Sequence, residues 1–236
     1  MDQAVIKQLS GAEHWSAEQI LAWTGQEFRA QATLASSFGA EDVVLIDLAA
    51  RIGSPFPIFT LDTSFLFPET YALITRIEQR YAVEVERLPA ALTADEQAQQ
   101  FGEALWQRQP DQCCRIRKIE PLKQRLQSAA AWITGIRREQ SPTREQARKI
   151  EWDPTFGLVK INPLADWSGA QVWAYIRSNQ IPYNPLHDQS YPSIGCTHCT
   201  RPVQAGEDAR AGRWSGFSKT ECGLHLDTAV VAKSGK

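Results

Sequence analysis

The sequence lacks the features that mark membrane, exported and disulfide-bonded proteins. No apolar run approaches the roughly 20 residues that span a bilayer, and the opening stretch MDQAVIKQLSGAEHW has no basic segment followed by an apolar one. We therefore expect no membrane association and a cytoplasmic location. Only five of the 236 residues are cysteine, and an odd number in a reducing compartment is not typical of a disulfide framework. Metal binding and catalysis are the remaining uses for these sulfurs.

The chain also lacks a strong net charge, since 25 basic and 27 acidic residues leave −2. The distribution of charge is nevertheless uneven. Residues 108–149 hold eleven Lys and Arg against four Asp and Glu, a local charge of +7. Such a segment attracts an anionic small molecule, an anionic metal cluster or nucleic acid, although solvated helix faces would have the same composition.

Strand-like and helix-like segments alternate along most of the chain. The segments with strand character are ATLA, PIFTLD, VEVERL and AAWIT. Their alternation with helices predicts an α/β fold with a mostly parallel twisted sheet flanked by helices. Ligands of such sheets bind beyond the carboxyl ends of the strands. We therefore expect the tips SSFGAED, LDTS and TGIRRE to converge on one crevice.

Capping residues mark the expected helix boundaries. Ser16 and Ser168 are typical N-caps, and Pro68 suits the first turn of a helix. The proline-rich stretch IPYNPLHDQSYPSIGC is predicted to be irregular. We divide the chain into three parts: an N-terminal helical extension (1–30), a nucleotide-binding α/β domain (31–214) and a mobile C-terminal tail (215–236).

Four of the cysteines form two close pairs. Cys113 and Cys114 are adjacent, and Cys196 and Cys199 have the C-x-x-C spacing that lets two thiolates converge on one metal centre. Adjacent cysteines seldom bridge each other, because the geometry of a disulfide is strained by one intervening peptide bond. An iron–sulfur cluster explains adjacent ligands best, since a cubane offers separate iron corners. A structural zinc ion and, for the second pair, a redox dithiol are the alternatives.

The fifth cysteine, Cys222, lies near the end of the chain in KTECGLHLD. It is either an inert thiol or a reactive one. Lys219 and His225 are near enough in sequence to favour a thiolate, which is the nucleophilic form.

Other polar residues are candidates for an anion or nucleotide site. The turn after the first strand contains Ser36, Ser37 and Gly39, which permit close approach of the backbone, and the helix that follows offers unpaired N–H groups. This turn is not a P-loop, since the glycine-lysine-serine/threonine core is absent. Further candidates, each with an ordinary structural alternative, are Asp62, Thr63, Arg137, Arg138, Arg210 and Arg213.

Taken together, these motifs closely resemble the assimilatory adenylylsulfate reductases, the cluster-bearing branch of the phosphoadenylylsulfate reductase family. The resemblance rests on SSFGAEDVVL, FTLDTSFLFPETY, CCRIRK, ITGIRREQSPTR, NPLADWS, GCTHCTRPV, GEDARAGRW and ECGLH, which occur in the family's order. It implies an adenine-nucleotide α-hydrolase-like fold. It also implies a [4Fe-4S] cluster on Cys113, Cys114, Cys196 and Cys199.

The resemblance further implies the chemistry. In the family, the C-terminal cysteine, here Cys222, attacks the sulfate sulfur of adenosine 5′-phosphosulfate, AMP leaves, and thioredoxin releases sulfite from the S-sulfo intermediate. Lys118 would link the cluster to the substrate, and Arg210 and Arg213 would hold its phosphosulfate end. The full set of expected substrate-binding residues is Ser36, Ser37, Phe38, Gly39, Glu41, Asp42, Leu61, Asp62, Thr63, Lys118, Arg137, Arg138, Arg144, Arg210, Arg213 and His225.

Two alternatives stay open at this point. Relatives that reduce 3′-phosphoadenosine 5′-phosphosulfate mostly lack the four cluster cysteines, so their presence favours adenosine 5′-phosphosulfate, although some cluster-bearing relatives accept both. A zinc-containing nucleic-acid-binding protein is the alternative from another class, and we expect no nucleic-acid partner. Association of the chain with copies of itself is compatible with the sequence.

Overall fold

The computed structural model describes residues 9–54, 56–217, 219 and 223. In chain order the elements are α1 (Ala17–Phe28), β1 (Ala32–Ala35), α2 (Ala40–Arg51), β2 (Ile58–Asp62), α3 (Pro68–Tyr81), β3 (Val85–Pro89), α4 (Ala94–Phe101), α5 (Leu105–Arg108), α6 (Pro110–Cys114), a π-helix (Arg115–Ile119), α7 (Glu120–Leu126), β4 (Ala131–Ile133), β5 (Ile150–Asp153), β6 (Leu158–Ile161) and α8 (Gly169–Ser178).

The six strands form one sheet in the order β3-β2-β1-β4-β6-β5. All neighbouring pairs are parallel except β5 and β6, which form an antiparallel pair. In the centre, Leu34 of β1 lies in register with Ile58 of β2 on one side and Ile133 of β4 on the other. The chain leaves β1 in one direction for β2 and returns on the other side as β4. The crevice between the carboxyl ends of β1 and β4 is therefore a topological switch point, where such sheets bind ligands.

The main core lies between the sheet and the helices that cover it. Helix α2 is apolar on nearly every side, and its residues 42–49 are all buried. This follows from its position, since it packs against α1, α3 and α8 as well as the sheet. Truncating a fully buried leucine here, such as Leu45, to alanine is expected to lower the free energy of unfolding by about 3 kcal/mol.

The sequence-based boundaries agree well with the structure. Ser16 and Ser168 both form capping boxes, in which the serine Oγ accepts from the backbone N–H three residues on at 3.2 Å and the glutamine there reciprocates. Pro68 opens α3. The proline-rich stretch is irregular apart from one short 3₁₀ turn, Pro185–Gln189. The predicted mostly parallel α/β sheet is confirmed.

Some elements were not predicted. The β5–β6 hairpin at one edge of the sheet and the short helices α4 to α6 were absent from the sequence-based assignment. The predicted mobility of residues 215–236 concerns a segment that lies largely outside the described residues, and the three-part division of the chain stays a prediction. Within the part that the structure describes, no helix combines the length and apolar character needed to cross a membrane.

Candidate functional site

A cavity of about 490 Å³ opens beyond the carboxyl ends of β1, β2 and β4. The three tips expected to converge do meet here. Of the residues proposed from the sequence, those that line the cavity are Ser36, Ser37, Gly39, Glu41, Asp42, Leu61, Thr63, Lys118, Arg137, Arg144, Arg210 and Arg213. Phe38, Asp62 and Arg138 do not line it, whereas Cys222 and His225 lie outside the described residues.

The turn between β1 and α2 is held by its own side chains. Asp42 accepts from the Ser37 backbone N–H at 2.6 Å and from the Ser37 hydroxyl at 2.9 Å. The Ser36 hydroxyl accepts from the Phe38 backbone N–H at 3.1 Å, and Phe38 has a left-handed φ of 59°. Burial raises the pKa of Asp42 to about 6 against the pull of the Ser37 hydrogen bonds. The N-terminus of α2 is thereby presented to the cavity in a fixed geometry.

Gly135 allows the loop after β4 to approach this helix end. A Cβ at this position would lie 2.4 Å from Oδ1 of Asp42 and 2.9 Å from Cβ of Glu41. Only glycine fits without displacing the first turn of α2. Gly135, the glycine of TGIRRE, is therefore the point at which two walls of the cavity pack closely together.

Two of the residues that miss the cavity have structural tasks. Phe38 is 1% exposed and belongs to the main core. Asp62 accepts from the Tyr71 hydroxyl at 2.7 Å and from the Ser64 backbone N–H at 2.9 Å, which closes the turn after β2. Both residues are adjacent in sequence to residues that line the cavity. Sequence motifs therefore could not separate the residues that line it from those that do not.

The adjacent arginines after β4 point in different directions. Arg137 lines the cavity and pairs with Glu41 at 2.8 Å and Glu139 at 2.9 Å. Arg138 faces away, where its guanidinium meets Glu13 at 2.5 Å and donates to the Ala147 carbonyl oxygen at 2.8 Å. Arg138 therefore links the N-terminal helical segment to the domain and does not reach the crevice.

Arg213 is seated by the loop that precedes Cys196. Its guanidinium donates to the Ser193 hydroxyl at 3.1 Å and lies over the Trp214 ring at 4.5 Å. A Cβ on Gly195 would lie 2.3 Å from Nη2 of Arg213. The missing side chain of Gly195 thus leaves the space in which the Arg213 guanidinium lies, and Arg210 lines the same cavity.

The four paired cysteines line a second, small cavity beside the first. Cys113, Cys114 and Cys196 are each less than 9% exposed, and the Thr63 hydroxyl lies 3.3 Å from Sγ of Cys196. The pKa of Cys113 and of Cys199 is raised to about 11, mainly by burial and to a smaller extent by the charge of the neighbouring cysteine sulfurs. Together the four sulfurs form one set of soft ligands that could bind a metal centre. Among the described residues, no three His, Cys, Asp or Glu side chains are arranged around a point that a single metal ion would occupy.

A π-helix turns the chain immediately after the cysteine pair. Pro110 starts the short helix α6, and the π turn Arg115–Ile119 follows Cys114 without a break. A π turn changes the angular spacing of side chains and is frequent at functional sites. Here Ile116 and Arg117 become buried, while Lys118 faces the crevice.

Arg117 is a buried cation among neutral oxygens and cysteine sulfurs. It is 1% exposed and donates to the Thr63 carbonyl oxygen at 2.7 Å and to Oε1 of Gln97 at 2.9 Å, and it lies over the Phe65 ring at 4.0 Å. Burial lowers its pKa, and the nearby Cys113 and Cys196 sulfurs act in the opposite direction. The site thus has a positive charge ready for an anionic occupant of the cysteine cavity. From the sequence, the basic residues after the cysteine pair, Arg117 among them, were expected to offset the negative charge of a thiolate-ligated cluster, and that role stays a prediction.

Three residues face both cavities: Lys118, Arg213 and Trp214. Lys118 therefore lies beside both the cysteine cavity and the crevice, and its role as a link between a cluster and the substrate stays a prediction. Its charge is also among the effects that lower the pKa of Cys199, although burial and the other cysteines outweigh it.

Sequence reasoning missed two histidines, which it left as structural. His187 lines the large cavity, and His198, between the two cysteines of the C-x-x-C motif, lines the small one. The His198 ring stacks on Trp106 with centroids 4.0 Å apart and planes at 8°. The C-x-x-C motif around His198 could have indicated its place beside the cysteine site, whereas no local pattern identifies His187.

Comparisons with known proteins identify the family of the chain. Residues 31–202 match the phosphoadenosine phosphosulfate reductase domain family. The chain is 46% identical to an adenosine 5′-phosphosulfate reductase of Halalkalibacterium halodurans over 95% of this chain and all of that one. It is also 46% identical to a phosphoadenosine 5′-phosphosulfate reductase of Gloeobacter violaceus, over 95% of each chain.

The crystal structure of a phosphoadenylyl-sulfate reductase from Candida auris superposes with a TM-score of 0.75 at 30% identity. The match covers 85% of this chain and 98% of that one, and it confirms the adenine-nucleotide α-hydrolase-like fold. The fold, the convergent crevice and the domain match lead to one conclusion: this chain belongs to the phosphoadenosine phosphosulfate reductase domain family.

Proposed function

We propose that this protein reduces adenosine 5′-phosphosulfate to sulfite and AMP with thioredoxin as the electron donor, through an S-sulfo intermediate on Cys222. The observation that carries the proposal is the shared wall of the two cavities. A crevice of nucleotide size lies against a four-cysteine site, and Lys118 and Arg213 face both. The names of relatives such as the Halalkalibacterium halodurans reductase support the same substrate class.

The positively charged side chains that line the crevice reduce the repulsion between the attacking thiolate and the negatively charged substrate. A thiolate that attacks a sulfonate group repels the charge already on the substrate, so that charge must be neutralised at the reacting end. Lys118 and Arg213 line both the crevice and the cysteine cavity, and Arg210 lines the crevice. The N-terminus of α2 and the turn at residues 36–39 line the crevice but not the cysteine cavity, and they suit the nucleotide portion. This polarity orients the substrate with its sulfonate towards the cysteine site.

In the first proposed step the Cys222 thiolate attacks the sulfonate sulfur. A new S–S bond forms, the bond between sulfur and the phosphate oxygen breaks, and AMP leaves with the electron pair. Arg210 and Arg213 would hold the leaving phosphate as charge develops on it.

In the second proposed step a thioredoxin thiolate attacks Sγ of Cys222. The S–S bond breaks and its electrons leave with sulfite, so sulfur gains the two electrons that thioredoxin loses. The second thioredoxin thiol then resolves the mixed disulfide and returns Cys222 to the thiolate form.

We also propose that Cys113, Cys114, Cys196 and Cys199 hold a [4Fe-4S] cluster. The donor set fits, because four soft sulfurs line one cavity with Arg117 and Lys118 beside them to balance an anionic occupant. When bound, the cluster would supply structural support and a local electric field, since the thiol route requires no electron from iron.

Two measurements test these proposals together. Purified protein is analysed for iron, sulfide and zinc, and sulfite formation is followed with thioredoxin and each of the two nucleotide substrates. We expect about four iron and four sulfide per chain, and faster turnover of adenosine 5′-phosphosulfate. Zinc without iron or sulfide would overturn the cluster and favour the zinc-containing alternative.

A Cys222→Ser variant isolates the nucleophile. It should bind AMP like the wild type and form no sulfite, and no S-sulfo adduct should appear in its mass spectrum. Wild-type turnover in this variant would overturn the mechanism.

Reduction of 3′-phosphoadenosine 5′-phosphosulfate is the second candidate function. The Gloeobacter violaceus relative, equal in identity to the first, carries that name. Faster turnover of the 3′-phosphorylated substrate with the same thioredoxin would select this function instead.

A further inference from the structure

The side chain of Gln140 joins three parts of the loop that follows β4. Its Nε2 donates to the Gly135 carbonyl oxygen at 3.1 Å, and its Oε1 accepts from the Arg137 backbone N–H at 3.0 Å. The same Oε1 accepts from Nη1 of Arg144 at 2.5 Å. These partners fix the orientation of the amide, because one of its atoms faces two donors and the other faces an acceptor. All four residues line the large cavity, so the amide holds together one section of the cavity wall.

The contact with Gly135 places this loop relative to the first turn of α2. A Cβ on Gly135 would overlap with Asp42 and Glu41, so the loop and the helix end are in close contact at this point. The 3₁₀ turn Pro142–Arg144 then brings the Arg144 side chain back to the Gln140 amide. The Arg144 guanidinium therefore has a defined position relative to the N-terminus of α2, which itself suits an anion.

The two arginines of this loop that line the cavity are held by groups of different charge. The Arg137 guanidinium lies 2.8 Å from a carboxylate oxygen of Glu41 and 2.9 Å from one of Glu139, so carboxylates balance its positive charge. The Gln140 amide is neutral, and its hydrogen bond orients the Arg144 guanidinium without cancelling any of its charge. A glutamate in place of Gln140 would orient the guanidinium and neutralise it at the same time.

We propose that Gln140 is a positioning residue that holds the Arg144 guanidinium in the crevice wall, with its charge intact, for the phosphate of the bound nucleotide. The identity of the ligand in this statement rests on the proposed function. A guanidinium forms strong charge-assisted hydrogen bonds with phosphate oxygens when its planar group is correctly oriented. An amide that fixes this orientation before the ligand arrives reduces the entropy lost on binding.

A comparison of AMP with adenosine tests the proposal, because the two ligands differ only in the phosphate group. Both affinities are measured by calorimetry on the full-length protein. Gln140→Met keeps the approximate length of the side chain and removes its hydrogen bonds. We expect this variant to bind AMP about tenfold more weakly and adenosine as the wild type does. A change that only loosened the loop would weaken both ligands alike, so the ratio of the two affinities separates positioning from a structural role.

Gln140→Glu tests the importance of a neutral side chain. It keeps an acceptor for Arg144 and for the Arg137 backbone N–H, but it adds a negative charge to the cavity wall. We expect AMP to bind about tenfold more weakly to this variant as well, with adenosine affinity unchanged.

Two further variants complete the test. In an Arg144→Ala background, Gln140→Met should have no further effect on AMP affinity, because the side chain that it positions is gone. Gln146→Met is the matched control, since Gln146 is exposed in the same loop and does not line the cavity. It should bind both ligands like the wild type.

The outcomes separate this proposal from the proposed function. The role of Gln140 alone is overturned by wild-type AMP affinity in Gln140→Met or Gln140→Glu, or by equal weakening of AMP and adenosine. Additive effects of Gln140→Met and Arg144→Ala would also overturn it, since Gln140 would then act on another group. Absence of AMP binding by the wild-type protein overturns the nucleotide-reductase function together with this proposal.

Discussion

The ammonium group of Lys219 contacts the carboxylate of Asp111, which joins the segment before Cys222 to the first turn of α6. The Lys219 side chain is 9% exposed and its Nζ also lies 5.4 Å from the centre of the Trp214 ring. Asp111 precedes Cys113 by two positions, so the contact brings Lys219, three residues before Cys222, to the wall shared by the two cavities.

Reversing one charge of this pair should slow formation of the proposed S-sulfo intermediate on Cys222. Because the Asp111 side chain is 87% exposed, an ion pair here contributes little, and we expect Asp111→Lys to reduce the single-turnover rate by about two- to fivefold. The double variant Asp111→Lys with Lys219→Asp should recover most of that loss. The rates are measured by quenched-flow mass spectrometry of the Cys222 adduct.

Glu103→Lys, an exposed charge reversal elsewhere in the same region, is the matched control and should leave the rate unchanged. A double variant no faster than Asp111→Lys would show that the pair does not position the tail.

Gly195→Ala should impair substrate binding through Arg213. The new Cβ would meet the guanidinium at 2.3 Å, so the side chain must leave its seat against Ser193 and Trp214. We expect an increase in KM of about tenfold with little change in Tm, since a flexible side-chain end can move. In an Arg213→Ala background the same substitution should have almost no further effect.

Gly11→Ala provides the control, because a Cβ there meets nothing within 4 Å. Additive effects of Gly195→Ala and Arg213→Ala would contradict the explanation, since they would show that Gly195 acts on another group.

The adjacent arginines Arg137 and Arg138 should separate binding from stability. Arg137→Gln leaves Glu41 without its partner at the cavity wall and should weaken AMP binding by about tenfold. Arg138→Gln breaks the pair with Glu13 outside the cavity and should lower the free energy of unfolding by about 1 kcal/mol, with AMP affinity unchanged. Calorimetry and urea unfolding measure the two effects. If Arg138→Gln weakens AMP binding as much as Arg137→Gln, the assignment of the two side chains is wrong.

Asp42 should impose a pH dependence on stability. Its pKa is raised from 3.8 to about 6 by burial, so the folded state holds the proton more tightly than the unfolded chain. The contribution of this group to the free energy of unfolding therefore falls as the pH rises from 3.8 to about 6 and is constant outside that window. The difference corresponds to about 3 kcal/mol.

Asp42→Asn should remove this slope, so that the variant gains stability relative to the wild type between those pH values. Urea unfolding across the window measures it, with Asp95→Asn in the exposed first turn of α4 as the control for a lost charge. Parallel stability profiles for wild type and Asp42→Asn would refute the role of Asp42.

Much of the fold and the position of the crevice could be predicted from local sequence. Capping boxes at Ser16 and Ser168 depend on residues three positions apart, and strand-to-helix turns such as Ser36–Gly39 carry their own hydrogen-bonding groups. The general rule for parallel sheets then brings the strand tips together. The β5–β6 hairpin was missed because its strands are only four residues each and lack clear alternation.

Contacts between distant segments could not be predicted in this way. Arg117 donates to a carbonyl 54 residues away, and Arg213 occupies the space left by Gly195 in another loop. These contacts depend on how loops pack over the sheet, which no local pattern specifies. The same holds for His187, whose place in the lining of the large cavity becomes visible only in three dimensions.

Lys118, Arg213 and Trp214 contact both cavities, so binding in one cavity is expected to change the binding affinity of the other. If an occupant of the cysteine cavity raises nucleotide affinity by some factor, a bound nucleotide raises the affinity for that occupant by the same factor. Bound nucleotide would then raise the affinity of the four-cysteine site for the cluster that we propose it holds. A ligand bound in the large cavity would in this way also stabilise whatever is bound in the cysteine cavity.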